Sequence, residues 1–371
     1  MESRDYMLRA IELAKLGAGF TAPNPMVGAV IVKNGKIIGE GFHKKCGELH
    51  AERNAIASLI ESAEGADIYV TLEPCCHHGR TPPCTEAIAE NGISRVFIGS
   101  RDPNPLVAGK GVKYLREHGI TVYEDILKDE CDKLNPVFFH YITTKMPYIA
   151  LKYAMTADGK IAAYTGLSKW ITGEKARAHV HSLRGTYSAV LAGIGTVLAD
   201  DPMLNCRLDG AHQPLRVIAD SGLRIPLDSK LCRSAGEYPL LIACTGYDSE
   251  KKSGLEALGV QVCCLPSENG HVSLEALMKK LAEMQISSVL VEGGGEISEA
   301  LLRNGLVNHV YAYIAPKMIG GIGAKSPVGG KGADCPDNAA LLTEPAVTRL
   351  GEDILLEYDV KRGFNNVHGN S

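Results

Sequence analysis

His50-Ala51-Glu52 and, further along, Glu73-Pro74-Cys75-Cys76-His77-His78-Gly79-Arg80-Thr81-Pro82-Pro83-Cys84 decide the reading of this chain. They offer an imidazole, two thiols and a carboxylate that need not touch a metal. Zinc is held tetrahedrally, and a catalytic site uses three protein ligands so that water takes the fourth position. His50, Cys75 and Cys84 supply those three. The metal brings the pKa of its water toward neutrality, so hydroxide is available as a nucleophile. Glu52, outside the metal shell, is then free to carry protons. A structural zinc site or a pair of redox thiols is the competing reading, but structural sites normally close all four positions. Cys76, His77 and His78 offer further donors. Adjacent residues rarely chelate one ion with good geometry, so they stay outside the shell.

The arrangement resembles the zinc deaminases, whose signature is H-x-E…P-C-x-x-C with the glutamate as general acid and base. It departs at one point. Eight residues separate Cys75 from Cys84, where the common pattern has two. A lengthened loop beside the metal is expected to recognise substrate.

Outward from this stretch, apolar Met7, Ala10, Ile11 and Ala14 recur with the spacing of one helical face, which predicts a helix over 5–17. Val27–Val32 and Lys36–Gly39 flank Asn34-Gly35, the strongest short hairpin signal. A helix is predicted from near His50, a strand over Asp67–Leu72, and a second helix from near Cys84 to Asn91-Gly92. Strands at Arg95–Gly99 and Ile120–Tyr123 enclose a helix over 110–118. Such alternation implies a sheet covered by helices. All three ligands fall at predicted helix starts, where the dipole favours anions, so Cys75 and Cys84 are expected to ionise readily.

With 371 residues the chain exceeds the usual size of one hydrophobic core, and two domains are expected, with a boundary near residue 145. Apolar runs recur at 148–154, 187–194, 215–219, 239–243, 287–292 and 308–314, with helical segments between several of them. From Arg362 the sequence is rich in Gly and Asn and is expected to fray. Hydrophobic residues at 45% and charged residues at 22% are ordinary for a soluble globular protein, and no apolar run approaches the ~20 residues of a membrane helix. The charged opening Met1-Glu2-Ser3-Arg4-Asp5, with no apolar region after it, is not expected to read as a secretion signal. Eleven cysteines without a disulfide-like spacing predict a cytoplasmic protein whose thiols are mostly reduced core residues, as in Val262-Cys263-Cys264-Leu265. A net charge of −4 argues against an extended nucleic-acid surface. A phosphorylated small molecule needs only two or three cations.

In the distal half, Val291-Glu292-Gly293-Gly294-Gly295 follows a buried strand and precedes a helical pattern, so backbone amides can approach a cofactor's phosphates. Gly193-Ile194-Gly195-Thr196 with Asp200-Asp201-Pro202, and Ala154-Met155-Thr156-Ala157-Asp158-Gly159-Lys160 before Trp170-Ile171-Thr172-Gly173, form two more junctions of this kind. No G-x-G-x-x-G follows the first strand of this half, which disfavours an ordinary Rossmann site.

These motifs, with Asn24-Pro25-Met26-Val27-Gly28 and Asp102-Pro103-Asn104, resemble the bifunctional deaminase-reductase family of riboflavin biosynthesis over residues 1 to about 361. Most specific are the long Cys-to-Cys loop and its pairing with Ala154–Gly159 in one chain. The resemblance implies an α/β chain. Its N-terminal domain, 1–145, would be a cytidine-deaminase-like α/β/α zinc deaminase, and its C-terminal domain, 146–361, a dihydrofolate-reductase-like NADPH reductase, with 362–371 a tail. The first would remove the 2-amino group of a diaminopyrimidinone bearing ribosylamino 5′-phosphate, and the second would reduce the ribosyl group to ribityl.

By the same resemblance His50, Cys75 and Cys84 hold one Zn2+ and Glu52 shuttles protons. Asn24, His43, His77, Arg80, Asp102 and Asn104 line the first substrate site. His43 could instead cap a strand, and Asp102 and Asn104 are natural turn residues. In the second half the resemblance places substrate at Ser168, Arg184, Leu204, Arg207 and Glu292, and NADPH at Ala154, Trp170, Thr172, Thr196, Asp200, Ser221, Gly294 and Gly295. Arg184 and Arg207 suit a phosphate through paired guanidinium hydrogen bonds. Asp200 could orient a ribose or cap a helix, Trp170 could be a core anchor, and Glu292 is one candidate proton donor. Asp220 would repel a 2′-phosphate if it faced one, whereas Ser221 and Arg224 would welcome it. A homo-oligomer is expected by likeness to the family. Two rival readings are a nucleic-acid base deaminase with an accessory nucleotide-binding domain, and a non-enzymatic zinc module fused to a nucleotide sensor.

Overall fold

The computed structural model describes residues 2–78, 82–104 and 107–364. The chain divides into two compact units, Met1–Lys145 and Met146–Ser371.

The first unit runs α1 (Ser3–Lys15), β1 (Gly28–Lys33), β2 (Lys36–Phe42), α2 (Ala51–Ala57), β3 (Asp67–Leu72), α3 (Cys84–Glu90), β4 (Arg95–Ser100), α4 (Lys110–Glu117), β5 (Thr121–Tyr123), α5 (Lys128–Asp132) and α6 (Pro136–Thr144). Its sheet has the order β2-β1-β3-β4-β5, antiparallel on the β2-β1-β3 side and parallel across β3-β4-β5. The hairpin turns at Asn34 and Gly35, both at positive φ, as that dipeptide predicts. β3 is buried at all six positions and forms the spine. On one face Ile31, Val70, Ile98, Ala55, Ile88 and Leu115 pack beneath α2, α3 and α4. On the other, Val30, Tyr69 and Phe97 meet Met7, Ala10, Ile11 and Ala14 of α1, the face its periodicity predicts. The result is the α/β/α sandwich of a cytidine-deaminase-like domain. Each fully buried Val, Ile or Leu contributes roughly 1.5–3 kcal/mol, so the two faces hold the sheet rigid. Glycine at position 41 lets α2 lie against β2, because a Cβ there would stand 2.2 Å from the Ala55 amide nitrogen. That close approach fixes the helix start that carries His50 and Glu52.

The second unit runs β6 (Tyr148–Thr156), α7 (Glu174–Thr186), β7 (Ala189–Gly193), α8 (Ile194–Asp200), β8 (Leu215–Ala219), α9 (Lys230–Arg233), β9 (Leu240–Cys244), α10 (Ser249–Ala257), β10 (Gln261–Cys264), β11 (Ser267–Glu268), β12 (His271–Val272), α11 (Leu274–Glu283), β13 (Ser288–Glu292), α12 (Gly295–Arg303), β14 (His309–Ala315), β15 (Leu341–Leu342), β16 (Ala346–Leu350) and β17 (Asp353–Arg362). The order is β10-β9-β8-β7-β13-β6-β14-β17-β15, with β16 on β17. Every pairing from β10 to β14 is parallel, whereas β17 runs antiparallel to β14. The C-terminal ends of β6, β7, β8, β13 and β14 therefore share one edge. The chain leaves β6 for β7, works outward to β10, and returns to insert β13 between them. In open α/β sheets such a switch of direction is where ligands bind, outside the carboxyl ends of the strands.

Three expectations need correction. Only five of the eleven cysteines are buried, and Cys264 is exposed because β10 is an edge strand rather than core. Arg362 closes β17 and Phe364 lies under the Arg303 guanidinium, so the chain is anchored past the point where fraying was expected. The rest of that tail, 365–371, lies outside the described residues. Trp170 is 64% exposed and is no core anchor.

Candidate active sites

In the first unit the metal-binding candidates converge. His50 is the N-cap of α2, in extended backbone, and Cys84 opens α3. Cys75 corrects the expectation of three helix starts: it lies in the loop that follows β3. The His50 Nδ1 stands 3.5 Å from the sulfur of Cys75 and 3.5 Å from that of Cys84. Bond lengths of about 2.0 Å to nitrogen and about 2.3 Å to sulfur, at a tetrahedral angle, require nearly that separation. Among the described residues this trio forms the one cluster of at least three His, Cys, Asp or Glu side chains that could hold a metal, its ligand atoms all lying within 4.8 Å. The donor set fits zinc.

The thiols do not both ionise readily. Cys75 is drawn down to about 4, chiefly by the hydrogen bond from Cys84 and then, against burial, by His50. The same contact and burial push Cys84 well above its ordinary range. The two sulfurs thus share one proton, and binding a cation releases it. The Cys84 amide donates to the Cys75 sulfur at 3.4 Å, tying both ligands together. Glu52, in the first turn of α2, is 3% exposed, and burial followed by the Cys75 charge raises its pKa. A carboxyl raised toward neutrality is suited to taking and returning a proton.

Around this cluster His43 is buried, its Nδ1 3.1 Å from the Leu49 carbonyl and its Nε2 3.2 Å from the Asn24 amide nitrogen. The amide donates to Nε2, so Nδ1 carries the proton, and burial keeps the ring neutral by lowering its pKa. Its edge meets the His50 ring at 5.3 Å. His43 therefore packs on the His50 ring, and Asn24 is tied to the cluster through His43. Asp102 is buried, accepts the Asn104 amide at 2.8 Å, and is pushed up to about 6 by burial. The turn role foreseen for this pair is real. His77 is exposed on the long loop, and Arg80 lies outside the described residues.

Two supporting residues were not singled out from the sequence. Arg53 donates from Nε to the Pro82 carbonyl at 3.0 Å and from Nη2 to the Pro83 carbonyl at 2.8 Å, locking the end of the loop to α2. Glu73 is buried and accepts the amides of Gly109, Gly111 and Val112, anchoring the start of α4 beside the Cys75 loop. Glu73 stands in the quoted motif, but its partners are too distant in sequence to be read there.

In the second unit the candidate residues gather at the shared strand edge. β13 ends in Glu292, and Gly293 and Gly294 adopt φ of 103° and 93°, a left-handed turn that side chains disfavour, before α12 begins at Gly295. A Cβ on Gly293 would stand 3.0 Å from the Thr196 hydroxyl, so the glycine turn and the start of α8 lie against each other. Asp200 ends α8 rather than capping its start, and accepts the Ser168 hydroxyl at 3.0 Å. Thr172 is buried, and its carbonyl accepts Arg177, whose guanidinium lies 4.7 Å over the Trp170 ring. Asp220 turns inward to the Ile225 amide, so it does not face a ligand, while the Ser221 hydroxyl accepts the Val272 amide. Leu204 is buried at φ 53°.

Arg184, which the resemblance places among the substrate residues, is forked onto Glu292, Nε to Oε1 at 2.5 Å and Nη2 to Oε2 at 3.0 Å, with Nη1 on the Asn205 carbonyl. Lys152 of β6 comes within 3.7 Å of the same carboxylate. Burial would raise the Glu292 pKa, but the Arg184 and Lys152 charges prevail and hold it at about 2. Glu292 is therefore ionised and ill suited to donating a proton. Burial lowers the Lys152 pKa against the pull of Glu292. Lys152 was overlooked; its only sequence signal was one cation inside the apolar run Ile149–Ala154. Arg207 is exposed and makes no hydrogen bond or ion pair among the described residues.

The model of the cytidine and deoxycytidylate deaminase zinc-binding region matches residues 1–100, and that of the RibD C-terminal domain matches residues 147–356. The riboflavin biosynthesis protein RibD of Actinobacillus pleuropneumoniae is 55% identical over 97% of this chain and 96% of its own length. RibD of Bacillus amyloliquefaciens is 44% identical over 96% of each. Among solved structures, Acinetobacter baumannii RibD superposes with a TM-score of 0.86 at 40% identity, covering 97% of this chain and 99% of its own. The diaminohydroxyphosphoribosylaminopyrimidine deaminase/5-amino-6-(5-phosphoribosylamino)uracil reductase of Thermotoga maritima does so with 0.85 at 41%, covering 96% and 98%. Both domain models and full-length relatives thus match, and the chain belongs to the RibD family of bifunctional riboflavin-biosynthesis deaminase-reductases.

Proposed function

We propose that residues 1–145 form the zinc deaminase and residues 146–361 the NADPH reductase, acting in turn on one phosphorylated pyrimidine. In the first step 2,5-diamino-6-(5-phosphoribosylamino)pyrimidin-4(3H)-one loses its 2-amino group to give 5-amino-6-(5-phosphoribosylamino)uracil; in the second the ribosyl group becomes ribityl. The observation that carries the reading is the His50, Cys75 and Cys84 trio at zinc-bond spacing beside a buried, unpaired-to-metal Glu52.

Zinc, when bound by these three, supplies the Lewis acid that makes water nucleophilic near neutral pH. Glu52 accepts the proton of the attacking water and returns it to the departing amino group, which leaves as ammonia. Asn24 and His43 present an amide and a neutral imidazole to the pyrimidine edge, with His77, Arg80, Asp102 and Asn104 completing the substrate contacts. Burial strengthens the contacts that His43 and Asp102 make.

NADPH, when bound, supplies the hydride. The amides opening α12 at Gly294 and Gly295 suit its phosphates, and Ala154, Trp170, Thr172, Thr196, Asp200 and Ser221 flank the same strand edge. Asp220 accepts the Ile225 amide and lies 3.6 Å from the exposed Arg224 guanidinium, whose remaining nitrogens suit a nucleotide carrying a 2′-phosphate. Ser168, Arg207 and the Leu204 backbone receive the phosphorylated substrate. Arg184 holds Glu292, and Lys152 donates the proton to the nitrogen of the C1′=N imine of the ring-opened ribosylamine as hydride arrives at C1′, since Glu292 stays ionised. The eleven free cysteines suit a reducing cytoplasm, and likeness to the family suggests a homo-oligomer; no helix of the described residues is long and apolar enough to cross a membrane.

Incubation with the diaminopyrimidinone phosphate, with and without NADPH, tests the whole. Ammonia release should not need NADPH, and NADPH oxidation should follow ammonia release. Oxidation without prior deamination, or neither signal, contradicts it.

A further inference from the structure

The Lys152 ammonium does not rest on Glu292 alone. It stands 5.7 Å from the centre of the Tyr313 ring, within the range of a cation–π contact. Tyr313, on β14, is fully buried, and register explains the meeting: Tyr311 pairs with Lys152 and Tyr313 with Ala154, so all four project from the same face of adjacent parallel strands. The ring is fixed from the opposite layer. His179 of α7 brings Nδ1 to 2.6 Å from the Tyr313 hydroxyl, and α7 also supplies Arg184. One helix therefore sets both the aromatic face under the lysine and the guanidinium that orients the carboxylate beside it. The charged and titratable groups around Lys152 and Tyr313 are Glu292 from β13, Arg184 and, through the Tyr313 hydroxyl, His179 from α7, Tyr311 from β14 and Glu357 from β17.

The geometry points to Tyr313, held by His179, as a positioning residue of the reductase step, whose ring face aims the Lys152 ammonium and favours its protonated form. A buried lysine between an arginine and a single carboxylate is short of negative charge. The negative face of the ring supplies part of what is missing without adding a second carboxylate, which would compete for the ammonium's proton. Tyr313 itself stays protonated, because burial raises its pKa far above the working range, and burial keeps His179 neutral.

The inference rests on Lys152 as proton donor, and its test separates the two. Reductase turnover with the deaminated substrate and NADPH is followed against pH. A general acid loses activity as pH rises through its pKa, so weaker support for the charged lysine moves the alkaline limb to lower pH. Tyr313→Leu is expected to lower kcat about tenfold, to leave both KM values within about twofold, and to move that limb down by about one pH unit, the scale of a desolvated cation–π contact. Tyr313→Phe keeps the ring face and should retain most of the activity. His179→Leu acts from the helix and should move the limb in the same direction by a smaller amount. A limb that stays in place in His179→Leu, or equal losses in the Phe and Leu variants, overturns the proposal even if Tyr313→Leu does not fold. Lys152→Met tests the underlying reading. If it still turns over, the donor assignment falls and this inference with it; if it is dead while Tyr313→Leu is normal, only the role of Tyr313 falls.

Discussion

Replacing Glu292 by Gln probes the charged centre of the second unit. The carboxylate is 6% exposed and carries Arg184 and Lys152. Its pKa falls from the ordinary 4.5 to about 2 because two cations outweigh the penalty of burial. At 1.36 kcal/mol per pH unit that displacement corresponds to about 3 kcal/mol, with little solvent screening to discount. The folded value lies below the unfolded one, so this stabilisation is complete above pH about 4.5 and is lost as pH falls toward about 2. The amide removes it and leaves two buried cations facing no anion, a change in the range of about 3–5 kcal/mol at neutral pH. Trp170, the only tryptophan, lies in this unit, so its fluorescence and far-ultraviolet circular dichroism during urea unfolding report on it. The variant should be about 3 kcal/mol less stable than the parent at pH 7, and the gap should shrink by about 2 kcal/mol at pH 3. A gap of equal size at both pH values, or none at pH 7, refutes the reasoning.

Glu52→Gln should keep zinc yet lower ammonia release at least ~100-fold, because an amide cannot ferry protons; near-normal deamination would remove Glu52 from its role. Arg207→Ala should raise the reductase KM for substrate about tenfold or more, the scale of a charge-assisted contact, and leave deamination intact; a loss confined to the first activity would show the functions to be partitioned wrongly. Arg53→Ala frees the Pro82 and Pro83 carbonyls that hold Cys84 in place, and chelator competition should find zinc bound roughly 10–100-fold more weakly. Unchanged affinity would make Arg53 a surface residue only.

The sequence was most legible where one local rule decided the outcome. Asn34-Gly35 marked the β1–β2 hairpin, the alternation of apolar runs marked both sheets, and His50, Cys75 and Cys84 met as their chemistry requires. What escaped it depends on long-range pairing. β16 and β17 form because β14 offers an edge, and no periodicity within 346–362 announces that partner. The fork of Arg184 onto Glu292 was not foreseen, because nothing near Arg184 reveals a carboxylate so distant in sequence. Lys152 was passed over for the converse reason, since a cation in an apolar strand declares its purpose only when β13 places a carboxylate alongside. Cys75 was grouped with His50 and Cys84 at helix starts, whereas it lies in the loop after β3 and the next helix begins only at Cys84. Register and burial, which sequence does not carry, settled each of these cases.

The central claim is a zinc ion with three protein ligands and one solvent position. X-ray absorption at the zinc edge of the purified enzyme measures that coordination directly. Two sulfurs at about 2.3 Å and two light atoms at about 2.0 Å, one of them lost from the imidazole signature when His50 is replaced and the other exchangeable with solvent, is the predicted shell. Four protein donors with no exchangeable position, or a purified protein that binds no zinc, would contradict it.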